Sequence, residues 1–451
     1  MTMIILNPRL CNYCGGCVSV CPEEALLLEE TRLTISDACI DCGYCVSACP
    51  MGALQLESTH PSAEQIPLRR SYDLIVIGAG PGGSTAAQTA AEAGLSVLLL
   101  EKRQEIGSPV RCAEGVAHNS LIPFIEPDPH WIAAEVTQAE ITTVIQGKRH
   151  TTRGTEGRGY ILERRVFDRV LAENAIIAGA RALVKTAATD LVMEGRRVRG
   201  VNIQGELLNG LMQMEIEAKI IIAADGVEAQ MGRWAGLDLQ LPLEDTMVCA
   251  QYLLAGIDID PSCTCYFIDH DIAPGGYAWI FPKGEGVANV GLGVQADLWE
   301  EHDVQRSPDE TVRSLEGTVL GYLTRFVESD PRLSNGSPVT LVTGNVPVGL
   351  SPKNIVTDGL MVVGDAARQV DPLTGGGIIN AMTAGKLAAE VAAEAIAADD
   401  ISAPFLKEYQ TRWDKSQGRK LQRNYRLRMK FKPQERTDDR FVRAFAMAVG
   451  A

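Results

Sequence analysis

Eight of the twelve cysteines fall between Cys11 and Cys49. Cys11, Cys14, Cys17 and Cys21 run into Pro22, and Cys39, Cys42, Cys45 and Cys49 run into Pro50. Both runs read C-x2-C-x2-C-x3-C-P, inside an internal repeat of period 28, CNYCGGCVSVCPEEALLL against CIDCGYCVSACPMGALQL. Clustered thiols in a chain without a secretory leader read as metal ligands rather than disulfides. Such short spacings let three thiolates from one loop reach one metal centre, and the proline turns the chain away. Zinc fits two runs of this form poorly.

The two runs resemble the bacterial-type ferredoxin domain with two [4Fe-4S] clusters. The resemblance implies that the fourth cysteine of each run serves the other cluster. Cys11, Cys14, Cys17 and Cys49 would then hold one cluster, and Cys39, Cys42, Cys45 and Cys21 the other. Paired clusters on a short chain form a one-electron relay, so this part implies electron delivery rather than bond-making.

A second chemistry follows the polar, proline-containing stretch 58–71, which reads as a linker. Tyr72–Ile77 is a buried-strand pattern, Gly78, Gly80 and Gly83 form a GxGxxG, an Ala-rich helix pattern runs to Ala93, and a second apolar strand ends at Glu101. This is the glycine fingerprint in its strand–turn–helix–strand setting. The first glycine makes the turn, the second lets backbone approach a pyrophosphate, and the third lets helix and strand pack. Glu101, 18 residues past Gly83, is placed to reach a ribose hydroxyl pair. Further pieces point to FAD: Asp225-Gly226 after the apolar run Ile220–Ile222, Gly364-Asp365 after Leu360–Val363, and Gly375-Gly376-Gly377 opening a helix. Together they resemble the para-hydroxybenzoate hydroxylase superfamily of flavoproteins over about residues 72–400. The resemblance implies that Asp365 binds the flavin ribityl chain, that the Gly375–Gly377 helix start lies by the flavin pyrimidine with its positive end toward negative charge, and that Arg164, in Arg164-Arg165-Val166-Phe167-Asp168, is a cofactor residue beside the equally charged Arg165. Asp225 carries the alternative of a helix or turn cap. No second GxGxxG stands in a strand–turn–helix context, so a dedicated NADPH domain is not expected.

Tyr277, Trp279 and Phe281, followed by Pro282 and then Gly291-Leu292-Gly293, resemble the YxWxFPx(7–8)GxG signature of geranylgeranyl reductases, which saturate isoprenoid chains. The three aromatics alternate, so on a strand they share one face and can line a long apolar pocket, with an ordinary sheet-core stripe as the alternative. The segment Pro109–Val116, with Arg111 and Cys112, resembles the cysteine-bearing loop of the same enzymes, with Ala113 where glycine is commoner. The resemblance implies catalytic roles for Cys112, Tyr277, Trp279 and Phe281 and a cofactor role for Arg111; for Cys112 a small buried hydrophobe is the alternative. Cys249, Cys263 and Cys265 read as structural.

These motifs demand an α/β chain of several parts. The expected order is a small ferredoxin-like α+β domain at 1–57, the linker at 58–71, and a Rossmann-type FAD-binding domain at 72–235 with substrate-domain insertions near 116–155. An antiparallel substrate sheet at 236–345, the second FAD-binding part at 346–400 and a basic helical segment at 401–451 follow. The 451 residues suffice for two or three cores, and a net charge of −15 argues against nucleic acid as partner. Residues 407–451 hold 13 Lys/Arg against 5 Asp/Glu, a net of +8, which leaves −23 on the remainder. That tail suits an anionic membrane surface or, alternatively, docking on the acidic body. No apolar run reaches membrane-span length, so a cytoplasmic location is expected, peripheral to the inner face of the membrane if the tail binds lipid. The expected function is FAD-dependent saturation of isoprenoid double bonds in geranylgeranyl lipids, fed by a low-potential donor such as a ferredoxin or a hydrogenase or formate system. The alternatives are a quinone reductase like the electron-transfer flavoprotein dehydrogenases and a membrane-recruited electron carrier.

Overall fold

The computed structural model describes residues 4–449 apart from 9, 12, 30, 31, 57–67, 146, 147, 208, 209 and 299–316. Most of the linker expected at 58–71 lies outside the described residues.

The cysteine repeat becomes a backbone repeat. Helices Gly16–Ser19 and Tyr44–Ala48 are each entered through a left-handed glycine, Gly15 (φ 74°) and Gly43 (φ 77°). Tyr13 and Asp41, two residues earlier, also share positive φ, 56° and 53°. Strand Ile4–Leu6 pairs antiparallel with Leu54–Leu56, and Leu26–Glu29 pairs with Arg32–Ile35. Ile4, Leu26, Leu33, Val46 and Leu54 close a small core around Cys17, Cys45 and Cys49.

The next unit is built on a mixed sheet. Ser71–Ile77, Val97–Leu100 and Arg181–Leu183 run parallel, and Gly210–Ala223 and Leu360–Val362 join on the other side. Leu74, Ile75 and Val76 are all buried because helices and loops cover both faces. Helix Pro81–Glu92 packs on this sheet and crosses helix Ile378–Ala397 at two glycines. A Cβ on Gly385 would stand 2.1 Å from the Gly82 carbonyl oxygen, so only glycine permits this crossing.

A second eight-stranded sheet has the order Ser337–Pro347, Thr246–Ala255, Val287–Gln295, Tyr277–Pro282, Cys263–Ile268, Ile132–Ile145, Lys148–Leu162 and Gly115–Ala117. Along Cys263–Ile268 the side chains alternate. Cys263, Cys265 and Phe267 enter a core with Leu323 and Phe326 of helix Val319–Ser329, while Tyr266 and Ile268 join the aromatic cluster on the other face.

The basic tail folds back on the body as helices Ala403–Trp413, Arg419–Lys430 and Asp439–Val449. Tyr409 and Trp413 bury against the mixed sheet, and Phe441 and Phe445 against the aromatic cluster. Among the described residues no helix is long and apolar enough to cross a membrane.

Candidate active site

Both large sheets and the tail face one cavity of about 700 Å³. At its nucleotide end, Gly78 has φ 100°, and its Cβ would stand 2.3 Å from the Ala224 carbonyl oxygen; a Cβ on Gly83 would stand 1.9 Å from the Gly78 carbonyl oxygen. Packing within the protein therefore requires both. Gly80 differs: a Cβ there would meet nothing within 4 Å. It lines the cavity just before helix Pro81–Glu92, whose first N–H groups have no intrahelical partner. The room beside Gly80 and the positive helix end suit a pyrophosphate.

Glu101 also lines the cavity, its carboxylate fixed by the N–H groups of Ala79 (3.0 Å) and Arg103 (2.9 Å). Arg164 and Arg165 part company at the start of helix Arg164–Ile177. Arg164 lines the cavity and donates twice to Asp168, at 2.7 and 2.8 Å, whereas Arg165 pairs with Glu105 on the surface. Asp365 faces Arg164; burial pushes its carboxyl up to about 6, and the guanidinium pulls the other way. Gly375, Gly376 and Gly377 line the cavity at the start of helix Ile378–Ala397. Arg111 lines it too, its stem against Gly344. Asp225 is not part of this wall. One of its carboxylate oxygens accepts from the Met231 N–H at 2.9 Å and caps helix Gln230–Trp234, so the geometry gives it the capping role.

At the other end, Tyr277, Trp279 and Phe281 share the cavity face. Cross-strand register explains the glycines of their motif: Tyr277 lies opposite Gly293 and Trp279 opposite Gly291. A Cβ on Gly291 would stand 2.4 Å from the Trp279 ring. Glycine thus frees the space in which the indole lies. The Tyr277 hydroxyl donates to the Thr374 carbonyl, which ties the aromatic strand to the glycine loop of the nucleotide unit. Tyr266 and Phe445 complete the wall, with ring centroids 6.0 and 5.1 Å from that of Tyr277.

Cys112 sits between the two ends. Its sulfur accepts from the Glu114 N–H at 3.2 Å and its carbonyl from Gln251 Nε2 at 2.8 Å. Burial pushes its thiol up, against the pull of Arg164. Two residues on, Glu114 is 2 % exposed. It accepts from Lys283 Nζ at 2.7 Å, from Asn289 Nδ2 and from the Arg164 N–H at 3.0 Å. This buried clamp pins the cysteine loop to the aromatic sheet.

In the N-terminal unit, Cys11, Cys14, Cys17 and Cys49 line one small void. Burial raises the Cys17 thiol, and Cys49 and Cys11 add to that as neighbours. Burial likewise pushes Cys45 up to about 12, with Cys39, Cys42 and Cys17 nearby. The sulfurs of Cys21 and Cys49 accept from the N–H groups of Ala25 and Ala53, both at 3.2 Å, the kind of bond that tunes a cluster's potential. Among the described residues no three Cys, His, Asp or Glu side chains converge as ligands of a single ion; Cys11, Cys14, Cys17 and Cys49 instead ring a space, which suits a cluster.

Comparison with known proteins supplies the family. Residues 245–346 match the geranylgeranyl reductase catalytic domain, residues 3–50 the 4Fe-4S dicluster domain, and residues 73–123 the FAD binding domain. The digeranylgeranylglycerophospholipid reductase of Methanosarcina acetivorans is 49% identical over 350 residues, which covers 77% of this chain and 81% of the relative. That of Methanosphaerula palustris is 45% identical over 372 residues, covering 81% and 87%. The chain belongs to the geranylgeranyl reductase family. A geranylgeranyl bacteriochlorophyll reductase-like crystal structure from Thermoplasma acidophilum superposes with a TM-score of 0.74 at 39% identity, covering 85% of this chain and 92% of that one. The flavin-dependent brominase Bmp2, at 20% identity and a TM-score of 0.62, shares the fold alone.

As a member of the geranylgeranyl reductase family, the protein is a flavin-dependent oxidoreductase with FAD and [4Fe-4S] clusters as cofactors. Sequence reasoning overlooked several wall residues of this reductase. Tyr266 and Phe445 lie outside the motif, and Cys249, read as structural, lines the cavity, with burial pushing its thiol up to about 12. Arg428 and Arg436 also line it, although they belong to the tail. The alternation of Thr264, Tyr266 and Ile268 could have exposed the first of these; Cys249 depends on the register of its strand opposite Gly293, and Phe445, Arg428 and Arg436 on how the tail packs.

Proposed function

We propose that this protein saturates isoprenoid double bonds of geranylgeranyl lipids, with electrons entering through its own [4Fe-4S] domain. The observation that carries this reading is one continuous cavity, from the Gly80 turn to the wall of Tyr266, Tyr277, Trp279, Phe281 and Phe445. Bound FAD would supply two-electron transfer to an alkene, an acceptor that needs strong reducing power and tight positioning. Gly80, Glu101, Arg164, Asp365 and Gly375–Gly377 would hold it, and the eight clustered cysteines would hold the clusters. The aromatic wall positions an apolar chain and excludes water. The buried Cys112 thiol keeps its proton at Sγ beside the cavity and can orient the alkene or pass that proton on. A low-potential donor, such as a ferredoxin or a hydrogenase or formate system, fits the N-terminal relay.

The basic tail leaves room for a second surface role, contact with anionic lipid at the inner face of the membrane. Liposome binding that persists after deletion of residues 415–451 would count against it. The decisive test of the main reading is anaerobic incubation of reduced protein with geranylgeranyl lipids and, separately, with quinones. A mass gain of 2 per saturated double bond is expected; quinol formation without lipid reduction would select the quinone reading, and neither product the electron-carrier reading.

A further inference from the structure

Two arginines of the tail stand where burial makes a cation expensive. Arg428 is 3 % exposed and Arg436 is 6 % exposed, and both line the cavity. Arg428 Nη2 donates to the Glu244 carbonyl (3.1 Å) and to Gln295 Oε1 (2.9 Å), and its Nη1 lies 3.6 Å from Asp245 Oδ1, a contact too long for a hydrogen bond. Arg436 Nη1 donates to the Gly275 carbonyl. Arg428 Nη1 and Arg436 Nε are buried without a hydrogen-bond partner among the described residues. Arg428 thus faces the buried Asp245, Arg436 has only Asp297 as an acidic neighbour among the described residues, and the two guanidiniums repel each other. Burial and, after it, the neighbouring Arg428 together push Arg436 down to about 9. Burying guanidinium charge with unsatisfied N–H groups is costly, and an anion is the ligand that would relieve it.

We propose that Arg428 and Arg436 are the receptor for a phosphate ester on the isoprenoid substrate. The lipid identity rests on the reductase reading above; the anion preference rests on the arginines themselves. The nucleotide phosphates are poor candidates for this position. The Gly80 turn belongs to the other sheet, and the charged groups that Arg436 feels are Arg428 and Asp297, not Glu101, Arg164 or Asp365. From the arginines the wall passes through Gly275, Gly276 and Tyr277 to the aromatic rings, and Phe441, Phe445 and Val449 of the last helix continue it as an apolar surface. A head bearing phosphate at the arginines thus places its tail along the aromatic wall. This assignment favours phosphate-bearing lipids over polyprenyl quinones.

The test uses the anaerobic holoprotein with two ligands that differ only in the head, digeranylgeranylglyceryl phosphate and digeranylgeranylglycerol, in neutral detergent micelles. Wild-type protein is expected to bind the phosphate at least tenfold more tightly. Arg436→Gln keeps a donor for the Gly275 carbonyl but no charge; it is expected to shrink that preference to about twofold while leaving alcohol affinity in place, and Arg436→Lys is expected to restore part of it. Without ligand the Gln variant should melt no lower than wild type, because an uncompensated charge has been removed. Inorganic phosphate should compete with the lipid phosphate in wild type only. A preference that survives Arg436→Gln, equal loss of both lipids, or inorganic phosphate binding that leaves lipid affinity untouched would each overturn the proposal. Product mass reports separately on the reductase reading: lipid bound with the stated head preference yet never reduced defeats that reading and not this one.

Discussion

At the residue scale, the three fingerprint glycines make different demands. A Cβ on Gly83 would clash with the Gly78 carbonyl, whereas a Cβ on Gly80 would meet only what binds beside it. Gly80→Ala should therefore leave thermal stability of the flavin-free protein unchanged and weaken FAD at least tenfold, about 1.4 kcal/mol, in a fluorescence titration. Gly83→Ala should instead lower soluble yield. Cys112→Ala should reduce alkene turnover tenfold or more with full FAD content; unchanged turnover would remove Cys112 from the chemistry. Asp365 makes a pH prediction. Its carboxyl sits at about 6 in the folded protein against an ordinary 3.8, so the folded form holds this proton longer than the unfolded chain. The stability this supplies is full below about 3.8 and is lost as pH rises through about 6. In the flavin-free protein, melting of wild type should fall relative to Asp365→Asn across that window, and parallel curves would contradict the burial argument.

At the element scale, the cysteine loop is pinned to the aromatic sheet by the buried Glu114 clamp. Lys283 on the strand end reaches Glu114 at 2.7 Å and Glu163 at 3.0 Å. Lys283→Met fills similar volume but strands the Glu114 carboxylate in the interior, an expected loss of about 3–5 kcal/mol in denaturant unfolding. The strand pairing of Tyr277–Pro282 was legible, because alternation and the later GxG both imply a pleated pair. Alternation along Cys263–Ile268 puts Tyr266 on one face, but only the register that sets it opposite Trp279 brings that face into the same wall. Asp225 shows the converse: its sequence context resembles that of Asp365, but only the latter points into the cavity, because the loop after Ala223 turns back to start a helix.

At the scale of the whole molecule, a body of −23 and a tail of +8 sit in one chain. Tail residues at helical spacing, such as Leu421, Asn424 and Arg428, are buried while their neighbours stay outside. Docking and surface contact therefore use different faces of the same helices. The cysteine-rich unit supplies the last prediction. Anaerobic protein should hold about eight iron atoms per chain. Cys14→Ala should lower that count and abolish turnover driven by a protein donor, while a chemical reductant that reaches flavin directly should still support lipid reduction. Loss of both activities together would argue that the clusters serve the fold rather than electron entry.

The sequence by itself determined the cofactors and the class of chemistry, because cluster ligation and pyrophosphate contact need fixed residue types at short spacing. It also identified the aromatic strand, whose period is local. Only the tertiary structure decided that Arg164 rather than Arg165 faces the cavity, that Asp225 caps a helix, and that the basic tail closes the cavity with Phe445, Arg428 and Arg436. Those outcomes depend on which side of an element is buried against distant parts of the chain, and charge and spacing along one segment carry no record of that.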